Sequence, residues 1–197
     1  MKGVDVSYWQ GVIDWNVLAS KAEFVYIKAS DGTSADRRFK ANWTGAQKAG
    51  IPRGAYHFYH PNIDWKEQVT TFLREHNGDP GDLAWAIDVE VGNQTPWSVD
   101  QIRGLELFMR SMSMYAASDE LAPPLIYTAN WYWTSNIGTR APWAASYGLW
   151  VASYIGTLVI PPPWTTYKLW QYSADGNRKG KEYGVQSVDI DLDIFNA

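Results

Sequence analysis

Two carboxylates, Asp88 and Glu90, stand at the end of an apolar run in a sequence of 197 residues. Residues 84–90 have the pattern of a buried β-strand, and side chains two residues apart share one face of a strand, ~6.5–7 Å apart along it. Two acids in a partly desolvated site hold one proton tightly, so an acid and a carboxylate coexist at neutral pH. Hydrolysis of a glycosidic bond needs that combination, an acid for the leaving oxygen and an anion for the oxocarbenium-like centre.

Further acids lie at the ends of other predicted strands. Asp5 ends the first strand, while Asp189, Asp191 and Asp193 alternate with apolar residues in the last, which predicts that all three share one face. First and last strands are neighbours in a closed barrel, so Asp5 could lie beside Asp191. A single acid at the end of the Asp88–Glu90 strand would more readily be a solvated residue at a strand-to-loop junction, and each acid of the last strand taken separately could equally belong to a polar outer face. Two acids on one face after an apolar strand favour catalysis.

The elements that must position these acids are short strands that alternate with helical patterns. Strands are predicted at residues 3–6, 24–29, 54–59, 84–90, 124–128, 149–153, 168–172 and 188–192. Among the early connections, Asp36 is predicted to cap one helix, and Ser98 with Gln101 forms a capping box for another. The later connections are short and rich in Trp, Gly and Pro, which predicts weak helices there.

Eight strands joined mostly by helices favour an α/β fold. We expect a single TIM-like, irregular (β/α) barrel over residues 1–197, with an incomplete outer ring of helices in the C-terminal half. Catalytic groups in such a barrel lie at the C-terminal ends of the strands, where the acids fall. A doubly wound open sheet is the alternative, but no Gly-rich phosphate loop of the kind that binds nucleotides is present in the sequence.

Composition narrows the range of functions. The net charge of −4 lacks the basic excess typical of nucleic-acid binding, and the absence of cysteine excludes disulfides and thiolate metal sites. No apolar run approaches the ~20 residues of a membrane span, and the N-terminus has no export-signal pattern. Twelve Trp and twelve Tyr exceed what packing of this chain requires, and their flat faces with polar edges suit sugar rings.

A series of motifs in fixed order resembles glycoside hydrolase family 25, the Chalaropsis-type lysozymes and phage endolysin muramidases. The resemblance covers essentially the whole chain. The motifs are GVDVSYWQG at 3–11, FVYIKA at 24–29, GAYHFYH at 54–60, AIDVE at 86–90, PLIYT at 124–128, LWVA at 149–152 and LWQYS at 169–173.

This resemblance implies an N-acetylmuramidase that cleaves the β-1,4 bond between N-acetylmuramic acid and N-acetylglucosamine with retention. It implies that Glu90 is the general acid and that Asp88 assists the substrate's own acetamido group as nucleophile. Asp5 and Asp191 match further acids of the family, and Tyr127 matches a tyrosine that positions the acetamido group. The sequence before the last strand departs from the family pattern, so Asp189 remains an alternative to Asp191. No cofactor or metal is expected.

Four aromatic residues on strands around the predicted mouth are candidate sugar contacts, with core packing as the alternative for each. They are Tyr56, Tyr59, Trp150 and Trp170.

Two other functions stay open. His57 and His60 with Asp5 and Asp88 could form the metal site of a polysaccharide deacetylase, although two histidines three residues apart on a strand face opposite sides. A glycan-binding module without catalysis would keep the aromatic residues and lose an acid.

We expect a monomer whose partner is the glycan strands of peptidoglycan, with neither nucleic acid nor membrane as a partner. Without an export signal, the resemblance favours a phage endolysin made in the host cytoplasm that acts on the cell wall after holin-type release. A contractile-tail or cell-lysis component is the alternative. A wall-binding domain could lie outside this chain.

Overall fold

One sheet that closes into a barrel forms the centre of the computed structural model, which describes residues 1–91, 96–154 and 157–196. Eight strands close the ring in the order β1-β9-β8-β7-β6-β5-β4-β2, and β1 pairs with β2. The closed ring confirms the predicted barrel over the open sheet. The strands are β1 Lys2–Val6, β2 Phe24–Asp31, β3 Ser34–Ala35, β4 Arg53–Phe58, β5 Ala86–Asp88, β6 Leu125–Ala129, β7 Leu149–Ala152, β8 Leu169–Ser173 and β9 Asp191–Phe195.

The ring departs from a regular (β/α) barrel at its last strand. Strand β9 runs antiparallel to both of its neighbours, β1 and β8, whereas the other neighbouring pairs of the ring are parallel. The short β3 folds back antiparallel on β2 outside the ring. An antiparallel strand presents its first residue, rather than its last, at the end of the barrel where the parallel strands finish.

Helices cover the ring unevenly, as predicted. The helices are α1 Trp15–Ala19, α2 Phe39–Ala49, α3 Trp65–His76, α4 Val99–Ser118 and α5 Asn130–Asn136. After α5 the chain has short 3-10 turns at Gly138–Arg140, Pro142–Ser146, Gly176–Arg178 and Gly180–Tyr183. In the described part of the connection between β7 and β8, no helix forms.

The predicted helix caps are right in one case and wrong in the other. Ser98 and Gln101 form the reciprocal capping box of α4. Asp36 does not cap α2, because the helix begins at Phe39 with Arg38 at the N-cap position. The Asp36 carboxylate instead accepts hydrogen bonds from the backbone N–H of Arg38 at 2.8 Å and of Tyr8 at 3.0 Å. It therefore ties the segment after β1 to the segment before α2.

The last strand begins three residues later than the sequence predicted. Residues 188–190 do not belong to β9, and the backbone carbonyl of Val188 accepts a hydrogen bond from Gly180 N–H at 2.9 Å. Acidic and apolar residues alternate on both sides of the true start, so the pattern alone could not locate it. As a consequence, the prediction that Asp189 shares a strand face with Asp191 and Asp193 is wrong.

Aromatic side chains fill the barrel below its C-terminal mouth. Tyr26 lies on the same strand face as Lys28, and its ring centroid is 4.8 Å from that of Trp150. The Tyr26 hydroxyl donates to the backbone carbonyl of Ala84 at 2.9 Å. This layer separates the mouth from the opposite end of the barrel, where Tyr26 lines a second cavity. Within the residues that the structure describes, no helix is long and apolar enough to cross a membrane.

Candidate active site

A cavity of about 310 Å³ opens at the mouth of the barrel. All five predicted catalytic residues line it, although they come from strands far apart in the chain. The lining consists of Asp5, Ser7, Trp9, Gln10, Lys28, Tyr56, Phe58, Asp88, Glu90, Tyr127, Trp150, Tyr154, Gln171, Ala174 and Asp191. The geometry therefore assembles one acidic site, while the role of each residue stays a prediction.

The acids reach the cavity from two sides. Asp88 is the last residue of β5 and Glu90 follows it by two residues, which places both at the C-terminal end of that strand. Asp5 pairs directly with Asp191 across β1 and β9, as the sequence predicted for neighbouring first and last strands. Because β9 is antiparallel, Asp191 is its first residue and still lies at the mouth. Asp189 precedes the strand and is absent from the cavity lining.

Burial dominates the electrostatics of the site. It raises the pKa of Asp88 well above its usual range, and the charge of Glu90 adds to this rise. Burial also raises the pKa of Glu90. On the other side of the cavity, burial raises the pKa of Asp5 to about 7 and that of Asp191 to about 9, where the charge of Asp5 contributes next. Near neutral pH the site therefore holds several carboxyl protons.

Lys28 is a cavity residue that the sequence reasoning missed. Its ammonium lies 2.6 Å from Asp31 Oδ2 and 4.4 Å from the centre of the Phe58 ring. Asp31 Oδ1 lies 2.6 Å from His60 Nε2. The positive charge of Lys28 partly opposes the rise in pKa of both Asp88 and Glu90. A lysine on the inner face of an otherwise apolar strand was the sequence signal for this contact.

A hydrogen-bonded group around Gln171 was also missed. The Gln171 amide nitrogen donates to Asp5 Oδ2 at 2.6 Å, and its oxygen accepts from the hydroxyls of Tyr127 at 2.8 Å and Tyr154 at 2.6 Å. Beside this group, the buried Asp193 accepts a hydrogen bond from Trp150 Nε1 at 2.9 Å. Gln171 was visible in the LWQYS motif, but nothing in a single sequence indicates its partners.

Two of the four predicted sugar contacts lie in the cavity and two do not. Tyr56 and Trp150 line it. Tyr59 is buried, with its ring centroid 5.2 Å from that of Phe108 on α4. Trp170 donates from its indole nitrogen to the backbone carbonyl of Ser153 at 2.9 Å, outside the cavity. Strand alternation explains why Tyr59 and Trp170 point away from the cavity. Tyr59 follows the inward-facing Tyr56 by three residues, and Trp170 directly precedes the inward-facing Gln171, so both have the opposite orientation.

The two histidines considered for a metal site have different surroundings. His57 is fully buried, and its ring nitrogens lie 2.8 Å from Ser30 Oγ and 3.1 Å from Gln68 Oε1. Burial lowers its pKa to about 4. His60 faces Asp31. The two side chains thus point to different partners, and neither lines the acidic cavity.

Comparison with known proteins agrees with this fold. The sequence model of "Glycosyl hydrolases family 25" matches residues 4–181, and the chain belongs to this family. It is a glycoside hydrolase of the lysozyme class.

The similarity extends over the whole of this chain. Lysozyme M1 of Streptomyces globisporus is 32% identical over all of this chain and 68% of its own length. The N,O-diacetylmuramidase of Arthroderma benhamiae is 30% identical over all of this chain and 83% of its own length. A family 25 glycosyl hydrolase from Bacillus anthracis superposes with a TM-score of 0.85 and 27% identity, covering 100% of this chain and 89% of the other. The bacterial lysozyme from Streptomyces coelicolor has a TM-score of 0.78 and 31% identity, covering 100% and 92%.

Proposed function

We propose that this lysozyme hydrolyses the β-1,4 bond between N-acetylmuramic acid and N-acetylglucosamine in peptidoglycan, with retention of configuration and with the substrate's acetamido group as the nucleophile. The observation that carries the proposal is the placement of Asp88 and Glu90 in one acidic cavity. The names of the relatives, a lysozyme and an N,O-diacetylmuramidase, support the same class of substrate.

Glu90 is the proton donor in this proposal. It is half-buried, whereas Asp88 is buried, so Glu90 is the carboxyl that a glycosidic oxygen can approach. Its raised pKa, caused by burial, favours the protonated form that a general acid requires. Asp88 and Glu90 titrate as a pair, so a proton held by the pair is available at the carboxyl that faces the leaving oxygen.

Asp88 is the partner of the acetamido group in this proposal. Within the described part of the chain, its buried Oδ1 atom has no hydrogen-bond partner. A buried carboxyl oxygen without a partner is costly, and an amide N–H of the substrate would satisfy it. Such a contact would orient the acetamido oxygen toward the anomeric carbon, and a protein nucleophile at covalent distance would then be unnecessary.

Product analysis tests the proposed bond. Purified peptidoglycan is digested in the presence of EDTA, and the new reducing ends are reduced with borohydride and identified by mass. We expect reduced N-acetylmuramic acid at the new ends, and the anomer released first, followed by NMR, should be β. Reduced N-acetylglucosamine or an α product would contradict the proposal. Activity lost in EDTA would favour the deacetylase, and binding without cleavage would favour the glycan-binding module.

We further propose that the enzyme acts as a monomeric endolysin, made in the host cytoplasm and admitted to the wall by a holin-type pore. The CTP1L endolysin has the same fold, with a TM-score of 0.75 at 22% identity, a likeness that concerns the fold only. The test is expression in a host cell with and without a separately induced holin. Lysis should follow holin induction only, and lysis without it would contradict this role. Light scattering of the purified protein checks the monomer.

A further inference from the structure

Gln171 lies on the inner face of β8 and lines the acidic cavity. It is buried, with 4% of its surface exposed, and its strand neighbours Trp170 and Tyr172 have the opposite orientation. Its amide contacts three other cavity residues, Asp5, Tyr127 and Tyr154, which come from three different segments of the barrel.

The amide group gives these contacts a direction. An ionised carboxylate only accepts hydrogen bonds, so the Gln171 NH₂ group must face Asp5 and its oxygen must face the tyrosines. The reverse orientation would bring the amide oxygen against the Asp5 carboxylate. The Gln171 oxygen has two lone pairs, and the hydroxyls of Tyr127 and Tyr154 occupy both of them.

Two consequences follow for the cavity. Asp5 receives a charge-assisted donor at 2.6 Å, which stabilises its ionised form. The short contacts of Tyr127 and Tyr154 place their hydroxyl protons on Gln171, although the two hydroxyl oxygens also lie 3.4 Å from each other. With its proton on Gln171, each hydroxyl oxygen presents lone pairs that can accept from a ligand. N–H and O–H groups of a sugar are donors of the required kind.

We propose that Gln171 is a positioning residue of the muramidase site: it holds Asp5 as an ionised acceptor and turns Tyr127 and Tyr154 into acceptors for donor groups of the substrate. The proposal deepens the function proposed above and rests on it for its kinetic part. Gln171 acts through its three partners and not by bond-making chemistry of its own.

The charge surroundings of Asp5 make this role measurable. Burial raises the pKa of Asp5 to about 7, and the hydrogen bond from Gln171 opposes that rise. Removal of the amide donor should therefore raise the pKa of Asp5 further. The titratable groups that share the cavity or its wall with Asp5 are Lys28, Tyr56, Asp88, Glu90, Tyr127, Tyr154, Asp191 and Asp193.

The first experiment measures the Asp5 carboxyl directly, without substrate. Protein labelled with ¹³C in the aspartate side chains is titrated by NMR, and Asp5 is assigned by its loss in Asp5→Asn. In Gln171→Leu we expect the pKa of Asp5 to rise by about one unit or more. Gln171→Glu keeps the size of the side chain and should move it in the same direction, which covers the case in which the Leu variant does not fold. An unchanged or lower pKa of Asp5 would overturn the proposal.

The second experiment uses kinetics on peptidoglycan fragments. The acidic limb of the pH profile of kcat/KM should move to higher pH by the same amount in Gln171→Leu, with a rise in KM as the tyrosine acceptors lose their orientation. In a protein that already carries Asp5→Asn, Gln171→Leu should not shift the pH profile of kcat/KM, because the carboxyl group on which Gln171 acts is absent. Tyr172→Phe, the adjacent outward-facing residue, is the matched control and should behave like the wild type. If Gln171→Leu lowered kcat/KM equally at all pH values, both in the wild type and in Asp5→Asn, Gln171 would have only a structural role and the proposal would be wrong.

The two proposals fail separately. A wild-type protein that releases no muramic acid ends would contradict the proposed function, while the NMR titration would still decide whether Gln171 controls Asp5.

Discussion

The two ends of the barrel treat buried charge in opposite ways. At the N-terminal end of β4, Arg53 is buried with Asp79 at 2.6 Å and Asp82 at 3.8 Å, and its guanidinium lies 4.5 Å from the Trp43 ring centre. At the mouth, four acids surround a space in which Lys28, the one cation among the described lining residues, already contacts Asp31. The first cluster matches charge with charge and supports the fold. The second leaves like charges together, an arrangement that costs stability and keeps protons available for chemistry.

Removal of the proposed proton donor should have the largest effect. Glu90→Gln keeps the shape of the side chain but cannot donate an acidic proton, so we expect kcat to fall by about 10²–10⁴-fold. KM and the melting temperature should change little, because no ion pair is lost. Release of reducing ends from peptidoglycan provides the measurement. A variant that retains full activity would show that the proton comes from another residue.

Loss of the matched charge at the opposite end should affect folding instead. Arg53→Met keeps an apolar stem but leaves Asp79 and Asp82 without their cation, and we expect the free energy of unfolding to fall by about 2–3 kcal/mol. The specific activity of the folded fraction should be unchanged. Urea unfolding measures the difference, with the exposed Arg110→Met on α4 as control. Equal effects of the two substitutions would contradict the comparison.

Relief of like charge at the mouth should stabilise the protein and reduce activity. The folded-state pKa of Asp191 is about 9, above the unfolded value of 3.8, so the folded state binds the extra proton and stability is lost as the pH rises between these values. Asp191→Asn removes that loss. Its melting temperature should exceed that of the wild type more at pH 8 than at pH 5. If the difference in melting temperature between Asp191→Asn and the wild type became smaller as the pH rises, the prediction would be wrong.

The smallest effect is expected at the rim of the cavity. Trp9 lines the mouth with 70% of its surface exposed, so a sugar ring can stack on it. Trp9→Ala should raise KM by about three- to tenfold with little change in kcat, as expected for the loss of one aromatic contact. Trp131→Ala, at 60% exposure and outside the cavity lining, is the matched control. Comparable increases in KM for both variants would remove Trp9 from the site.

The sequence predicted the barrel and the convergence of the acids because both follow from periodicity. Apolar strands with acids at their ends identified Asp5, Asp88 and Glu90, and closure of the ring predicted the contact of Asp5 with Asp191. Alternation also predicts that Tyr56 and Tyr59 face opposite sides of their strand, so only one of the two could line the cavity. For Trp170 and Gln171, the sequence does not decide which one faces inward, and the structure places Gln171 there.

Other features depend on contacts that a single sequence does not encode locally. The antiparallel direction of β9 shows only in its pairing with β1 and β8, because an alternation of acidic and apolar residues looks the same in either chain direction. The contacts of Gln171 and Lys28 join segments that meet only in the closed barrel. Asp36 was misassigned because its carboxylate serves a long-range contact with Tyr8 as well as a local turn.

The insertion of β9 between β1 and β8 has a consequence for how the enzyme comes into being. Asp5 and Gln171 are 166 residues apart in the chain, and Asp191 comes later still. Contacts between such distant segments form late, because the entropy of closing long loops must be overcome first. A nascent or clipped chain without β9 has two unpaired strand edges and an incomplete set of acids. The acidic cavity is therefore complete only when β9 has closed the ring and brought Asp191 beside Asp5.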